Sequence, residues 1–212
     1  MSQRMSVSKR AACVTAALKS AFPDAECSLD NDLPERLAIR GILSAQCTDK
    51  RVNMTAVDLF DRYPTMELLA AADPADVATI IKPCGLTASK TASVMDFANK
   101  FCNEWGNEVP SDIDKLMTCK GVGKKIANLI AGEIYGIPMI VVDTHCKRVM
   151  YRIGLTDNTE PLKIEKDLDK VIPDEDKIAI GHLAVELGRT YCNARNPLCG
   201  ECPVAEYCRK RV

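Results

Sequence analysis

Apolar residues recur three and four positions apart along almost the whole of this chain, and no stretch alternates apolar and polar residues long enough to specify a sheet. That pattern restricts the fold to the all-α class, with many short helices that each bury one stripe. The spacing predicts helices over residues 9–22, 33–46, 50–63, 66–71, 74–81, 88–101, 113–118, 124–135, 144–153, 161–171 and 177–191, with ends defined to about two to four residues. Asp49, Asp73 and Ser111 stand where N-caps are useful, and Pro74 and Pro161 suit first-turn positions. The run Ile137-Pro138-Met139-Ile140-Val141-Val142 has no partner strand in sight and reads as a buried extended connector. No apolar run reaches the roughly 18 residues that span a bilayer, and Lys19 interrupts the run from Ala11 to Leu18, so a soluble protein with an amphipathic first helix is expected.

Eleven cysteines would suggest disulfides in a secreted chain, but the count is odd and seven of them (Cys13, Cys27, Cys47, Cys84, Cys102, Cys119, Cys146) are scattered through helical segments. A reducing, cytoplasmic setting fits better, with those seven as small packing residues. The other four close the chain as Cys192, Cys199, Cys202 and Cys208, spaced C-x6-C-x2-C-x5-C around Pro197 and Gly200. Four thiolates in so short a stretch can enclose one metal centre. Thiolate chemistry alone admits zinc or iron–sulfur, although the spacing lacks the paired C-x2-C knuckles of common zinc modules.

A net charge of −1 gives no global argument for a nucleic-acid partner, so the distribution has to carry one. Lys120, Lys124 and Lys125 cluster at one turn, Lys147, Arg148 and Arg152 follow Asp143, and Arg209, Lys210 and Arg211 end the chain, whereas residues 157–176 are rich in carboxylates. In Leu116-Met117-Thr118-Cys119-Lys120-Gly121-Val122-Gly123-Lys124-Lys125 a short helix stops at a Gly-x-Gly turn and a longer one begins, with Ile126, Leu129, Ile130 and Ile134 as its expected buried stripe. Such a turn can aim backbone amides at a phosphate, and it can equally be a plain helix–helix connection. Lysines in a first turn oppose the helix dipole, so something other than helix stability keeps them. An amine there that is partly desolvated beside a second ammonium would become a nucleophile. Residue physics does not choose between Lys124 and Lys125. Asp143, before Thr144 and His145, reads as an N-cap whose carboxylate stays ionised and is able to stabilise positive charge on a deoxyribose ring. His145 and His182 are the only histidines, and His182 is expected to pack within its helix.

At this point the chain resembles the endonuclease III family of DNA glycosylases over nearly its full length. Leu43-Ser44-Ala45-Gln46-Cys47-Thr48-Asp49 is similar to the family's Leu-Ser-Ala-Gln-x-Thr-Asp signature, Gly121-Val122-Gly123-Lys124-Lys125 to its helix-hairpin-helix, Val142-Asp143-Thr144-His145 to its aspartate motif, and the four-cysteine spacing to its 4Fe-4S loop. The resemblance implies two helical domains: a six-helix barrel over residues 27–137 containing the hairpin (about 113–135), and a discontinuous cluster domain of residues 1–26 and 138–212. It implies a 4Fe-4S cluster on Cys192, Cys199, Cys202 and Cys208, set to position a loop carrying Arg195. It makes Lys125 the nucleophile at C1′ of a flipped, oxidised pyrimidine nucleotide in double-stranded DNA, with Asp143 assisting, followed by β-elimination at the abasic site. Gln46 and Leu86 would fill the gap in the duplex, Gly121, Val122, Gly123, Lys124 and His145 would contact DNA, and Ser44 and Asp49 would lie near the base pocket. A monomer in the cytoplasm, nucleoid-associated in a bacterial or archaeal cell, is expected.

One departure stands out. Where the family usually has Leu-Pro-Gly before the hairpin valine, this chain has Cys119-Lys120-Gly121, which predicts a looser hairpin or one that binds phosphate more through charge. Adenine-specific relatives would need a carboxylate in the helix before Gln46, and residues 40–46 contain none; thymine-mismatch relatives replace the lysine that is Lys125 here. From another class, a non-catalytic hairpin protein with a structural zinc would use the same glycines and thiols.

Overall fold

The computed structural model describes residues 5–212, and among them there are eleven α-helices, two short 3₁₀ turns and no strand. The helices are α1 (Val7–Ala21), α2 (Pro34–Leu43), α3 (Asp49–Arg62), α4 (Met66–Ala70), α5 (Pro74–Ile81), α6 (Thr87–Asn103), α7 (Ile113–Met117), α8 (Lys124–Tyr135), α9 (Thr144–Ile153), α10 (Pro161–Asp169) and α11 (Lys177–Thr190). The 3₁₀ turns cover Lys82–Cys84 and Asp174–Asp176. Local chemistry accounts for most starts. Asp73 accepts from the Ala75 amide and Pro74 follows it, and Pro161 opens α10 with no amide to lose.

Beyond shifts of one or two residues, three ends differ from the sequence reading in their stop or cap. α2 stops at Leu43 instead of continuing to Gln46, because the chain turns over Ser44–Cys47 and Gln46 takes a left-handed backbone (φ 53°) that no right-handed helix contains. Asp49 is the first residue of α3, after Thr48 at the cap. Asp112, not Ser111, caps α7, where its carboxylate accepts from the Lys115 amide.

The chain divides into two compact units, one of Cys27–Tyr135 and the other of the described residues up to Glu26 with Gly136–Val212. In the first, α6 packs against α4, α5 and α2, and α8 packs against α2 and α7. Phe97 lies fully buried on α6, with the Trp105 ring edge-on at 5.4 Å. α2 is buried from Leu37 to Leu43, and Gly41 lets α8 come close: a Cβ there would sit 3.3 Å from Ile126 Cγ2. In the second unit, α11 packs against α9 and α1 around Val14, Leu18, Val149, Met150, Ile180 and Leu187. The 137–142 connector is extended and buries Ile140 and Val142 in that core.

Arg40 is a cation inside α2. Its guanidinium is paired with Asp32 and donates to the Asp30 carbonyl at 2.9 Å. Burial alone would raise the Asp32 carboxyl, but hydrogen bonds from Arg40 and then Arg36 outweigh it and bring the group down to about 2. The folded value lies below the unfolded one, so this pair stabilises the unit above pH ~4, and the contribution disappears as pH falls through about 2. Asp32→Asn is therefore expected to cost about 1 kcal/mol at pH 7, discounted for the exposure of the carboxylate. Urea titrations should show parent and variant converging toward pH 2; a difference that persists unchanged there would contradict the assignment.

Candidate nucleic-acid interface and metal centre

The hairpin is α7, the turn Thr118–Gly123 and α8. Leu116 and Val122 are buried on either side of the turn and pin it from below. Val122 donates to the Cys119 carbonyl at 3.1 Å, and the Gly123 carbonyl accepts from the Ile126 and Ala127 amides at 3.0 Å. The first amides of α8 thus stand at a helix start, where intrahelical partners are missing. Gly121 has φ +75°, and a Cβ there would collide with Ser93 Oγ, whereas a Cβ at Gly123 would meet nothing within 4 Å. The inner glycine is required by packing and the outer one leaves the face open. Lys124 is half-buried and Lys125 is exposed. The buried residues of α8 are Ala127 through Gly132; Ile126 and Ile134, expected in the stripe, are only half-buried. Val122, an expected DNA contact, buries its side chain and commits its amide to the Cys119 carbonyl.

The missing proline has a physical replacement. Lys120 donates its backbone N–H to Asp96 Oδ2 at 2.9 Å, a bond no proline can make, and its ammonium lies 4.0 Å from Asp96 Oδ1. Cys119 occupies a buried slot against α6, where burial and the Asp96 charge push its thiol up to about 12. The hairpin is therefore strapped to α6 rather than loosened. Sequence reading missed Asp96 because nothing in its spacing singles it out.

Two further candidates stand in left-handed backbone conformations that ordinary side chains avoid. Gln46 (φ 53°) is exposed at the corner between α2 and α3. Leu86 (φ 49°) is the N-cap of α6, a position that favours Ser, Asp or Asn, and its side chain is 49% exposed. A core-packing role for Leu86 is excluded. Each such residue costs about 1 kcal/mol of backbone strain. The Leu86 turn is held from beneath by Lys90, whose buried ammonium donates to the Cys84 carbonyl at 2.7 Å. Ser44 is half-buried and donates to the Gly41 carbonyl, and Asp49 is half-buried at the start of α3.

In the second unit Asp143 caps α9. Its Oδ1 accepts from the Cys146 amide at 2.7 Å, which holds the carboxylate at the positive end of the helix. His145 is half-buried with Nδ1 3.2 Å from Arg148 Nη2; a guanidinium only donates, so Nδ1 accepts and the ring proton sits on Nε2. Gly188 is required here, since a Cβ would lie 2.6 Å from His145 Nδ1. Arg148 and Arg152, counted in the sequence as basic surface, turn inward instead. Arg148 donates to the carbonyls of Cys192 and Gly188, and Arg152 to those of Asn193 and Ala194 and, at 3.7 Å, to Cys192 Sγ.

These arginines organise the cysteine loop. Burial and then the neighbouring thiols push Cys202 and Cys208 upward. Lys210 donates its amide to Cys208 Sγ at 3.2 Å, and Val204 is fully buried beneath the loop. Among the described residues no group of three or more ligand side chains is gathered as one metal ion demands. A single zinc needs sulfurs only about 3.8 Å apart, whereas a cubane gives each thiolate its own iron and tolerates wider spacing. Four thiols with N–H donors aimed at two of them suit an iron–sulfur cluster.

Residues 39–174 match the HhH-GPD superfamily of base excision DNA repair proteins, and residues 192–208 match the iron–sulfur binding domain of endonuclease III. The chain is 40% identical to endonuclease III of Synechocystis sp., over 94% of this chain and 92% of that protein. The chain belongs to the endonuclease III family. A solved non-covalent endonuclease III–DNA complex superposes with a TM-score of 0.91 at 34% identity, covering 97% of each chain. A trapped covalent endonuclease III–DNA intermediate does so with the same score and identity, covering 98% of this chain and 97% of that one. As an endonuclease III family member it is a base excision repair enzyme, a DNA glycosylase with abasic-site lyase activity that binds DNA and carries a 4Fe-4S cluster. No helix among the described residues is long and apolar enough to cross a membrane.

Removing the strap should loosen the hairpin without unfolding it. Asp96→Ala is expected to weaken binding to an abasic-analogue duplex about fivefold, the worth of one hydrogen bond of about 1 kcal/mol, while Asp96→Asn, which keeps an acceptor, retains most of the affinity. Fluorescence anisotropy alongside a thermal melt checks this; equal affinity in all three proteins would remove the strap from the account.

Proposed function

We propose that this enzyme, a cytoplasmic monomer that in a bacterial or archaeal cell works on the nucleoid, removes oxidised pyrimidines from duplex DNA, with Lys125 as nucleophile and Asp143 as its acidic partner. The single observation that carries the reading is the exposure of Gln46 and Leu86 in strained left-handed turns. Residues so placed add nothing to the core and have the reach to enter a base stack. The solved relative trapped covalently on DNA supports a lysine-type intermediate by likeness.

Phosphate would be held by the open amide face at Gly121–Lys125, with Lys124 adding charge. Unstacking the target nucleotide costs a few kcal/mol and is cheapest at a damaged pair. Gln46 and Leu86 would fill the vacated space, with Ser44 and Asp49 near the extruded base. The Lys125 amine, stripped of water by the DNA itself, bonds to C1′ as the bond to the base breaks and the base leaves with its electron pair. The Asp143 carboxylate, held in place by the bond it accepts from the Cys146 amide, would offset the positive charge that develops on the sugar. Ring opening gives the imine, and loss of a C2′ proton expels the 3′ phosphate. Cys192, Cys199, Cys202 and Cys208 would hold the cluster, which supplies a rigid brace for the loop bearing Arg195.

Borohydride reduction on an abasic-site duplex tests these roles by freezing the imine as an amine. The parent and Lys124→Ala should form a covalent adduct and Lys125→Ala should not. Asp143→Asn, which keeps a capping oxygen, should lower base release by about a hundredfold or more. No adduct from the parent would favour a hairpin protein that only binds DNA.

A further inference from the structure

α9 presents three faces. Cys146, Val149, Met150 and Ile153 pack into the core of the second unit. Arg148 and Arg152 turn to the cysteine loop. Thr144, Lys147 and Tyr151 are exposed; spaced three and four residues apart, they form one continuous outward stripe. Lys147 is the cation of that stripe. It donates its backbone N–H to the Asp143 carbonyl at 2.9 Å, one helical turn back, so its side chain stands on the same side of the helix as the capping carboxylate.

That ammonium is uncommitted. Lys19, Lys163, Lys170 and Lys177 of the same unit each pair with a carboxylate, whereas the Lys147 ammonium has no hydrogen bond or ion pair among the described residues. The basic run of Lys147, Arg148 and Arg152 therefore splits: two guanidiniums serve the cysteine loop, and one ammonium is left facing water beside Asp143. At the far end of the stripe the Tyr151 ring lies under the Arg211 guanidinium at 5.3 Å, and that guanidinium is itself paired with Asp157. From Thr144 to Tyr151 the stripe runs about 10 Å along the helix. A hydroxyl, an ammonium and a phenol are all donors of the kind that hold phosphate and sugar oxygens. In a chain of net charge −1, attraction to DNA has to come from such local cations rather than from the overall field.

We propose that this stripe carries the phosphate backbone of the lesion strand, with Lys147 bound to a phosphate that flanks the nucleotide at Asp143. The placement rests on the reading that the Asp143 carboxylate works at the sugar. Phosphates are attached directly to the 3′ and 5′ oxygens of that sugar, and a lysine one turn from the carboxylate, on the same side of α9, has the length to reach one of them. Lys147 holds the phosphate alike before and during base release, so it contributes to affinity and not to the chemical step. Binding it releases a counterion from the DNA, which makes the contact sensitive to salt.

Anisotropy of the holoprotein on an abasic-analogue duplex, taken across a salt series, is the test. Lys147→Ala should bind about tenfold more weakly at low salt, and its slope of log affinity against log salt should be shallower by about 0.9, the share of one phosphate. Lys147→Arg should keep the parent slope, and Lys163→Ala, which removes the same charge from α10, should leave it unchanged. In turnover, Lys147→Ala should raise KM with kcat within about twofold of the parent. Replacing each phosphate that flanks the abasic analogue by a neutral methylphosphonate locates the contact: one of the two replacements should weaken the parent as much as Lys147→Ala does and add nothing further to that variant. An unchanged slope in Lys147→Ala, an equal loss in Lys163→Ala, or additive losses with both methylphosphonates would overturn the proposal. Base release by Asp143→Asn is read separately: at the parent's rate it would sink the Asp143 reading, while the salt slope still decides whether Lys147 binds a phosphate.

Discussion

An α-helix leaves its first amides without partners, and the residues proposed to act on DNA stand at or near such ends. Gln46 lies just before α3, Leu86 caps α6, the Gly121–Lys125 turn opens α8, and Asp143 caps α9. Each end is fixed because the helix behind it buries one face: Phe97 on α6, Ile130 on α8 and Val149 on α9 are all fully buried. Rigid ends of this kind let short loops hold side chains in conformations that a free loop would relax. The apolar stripes are thus the cause of the site's geometry as well as of the fold's stability.

Strain and its supports go together at these ends. Leu86 holds a left-handed backbone while Lys90 grips the carbonyl two residues before it, and Gly121 crosses Ser93 so closely that no side chain fits. α6 supplies Lys90, Ser93 and Asp96 along one stretch, so a single helix supports both the Leu86 turn and the hairpin. The 137–142 connector does the corresponding work in the other unit, burying Ile140 and Val142 so that Asp143 meets the start of α9 in position to accept from Cys146. The cysteine loop is braced from α9 as well, through Arg148 and Arg152.

Helical periodicity was legible because packing needs the same face every turn, and it located all eleven helices. Ends were harder where polar neighbours compete for one cap, as with Ser111 and Asp112, or where a special backbone overrides propensity, as at Gln46. The motif residues could be named in advance because their types are chemically scarce: a Gly-x-Gly-Lys-Lys turn, an aspartate before a helix, four close cysteines. Asp96, Lys90 and the inward arginines could not, since a charge in a sequence says nothing of which way it points. Arg148 and Arg152 looked like a DNA-facing patch and proved to be the scaffold of the cysteine loop. The Cys119-Lys120 substitution illustrates the same limit, because its compensation lies in a residue 24 positions away.

Whether Leu86 keeps a costly backbone for the sake of DNA is tested most directly by Leu86→Gly. Glycine accepts φ 49° freely, so folding stability measured by urea denaturation should rise by about 0.5–1 kcal/mol, while activity on a lesion-containing duplex falls at least about tenfold. A glycine variant that is both as active as the parent and no more stable would contradict the claim.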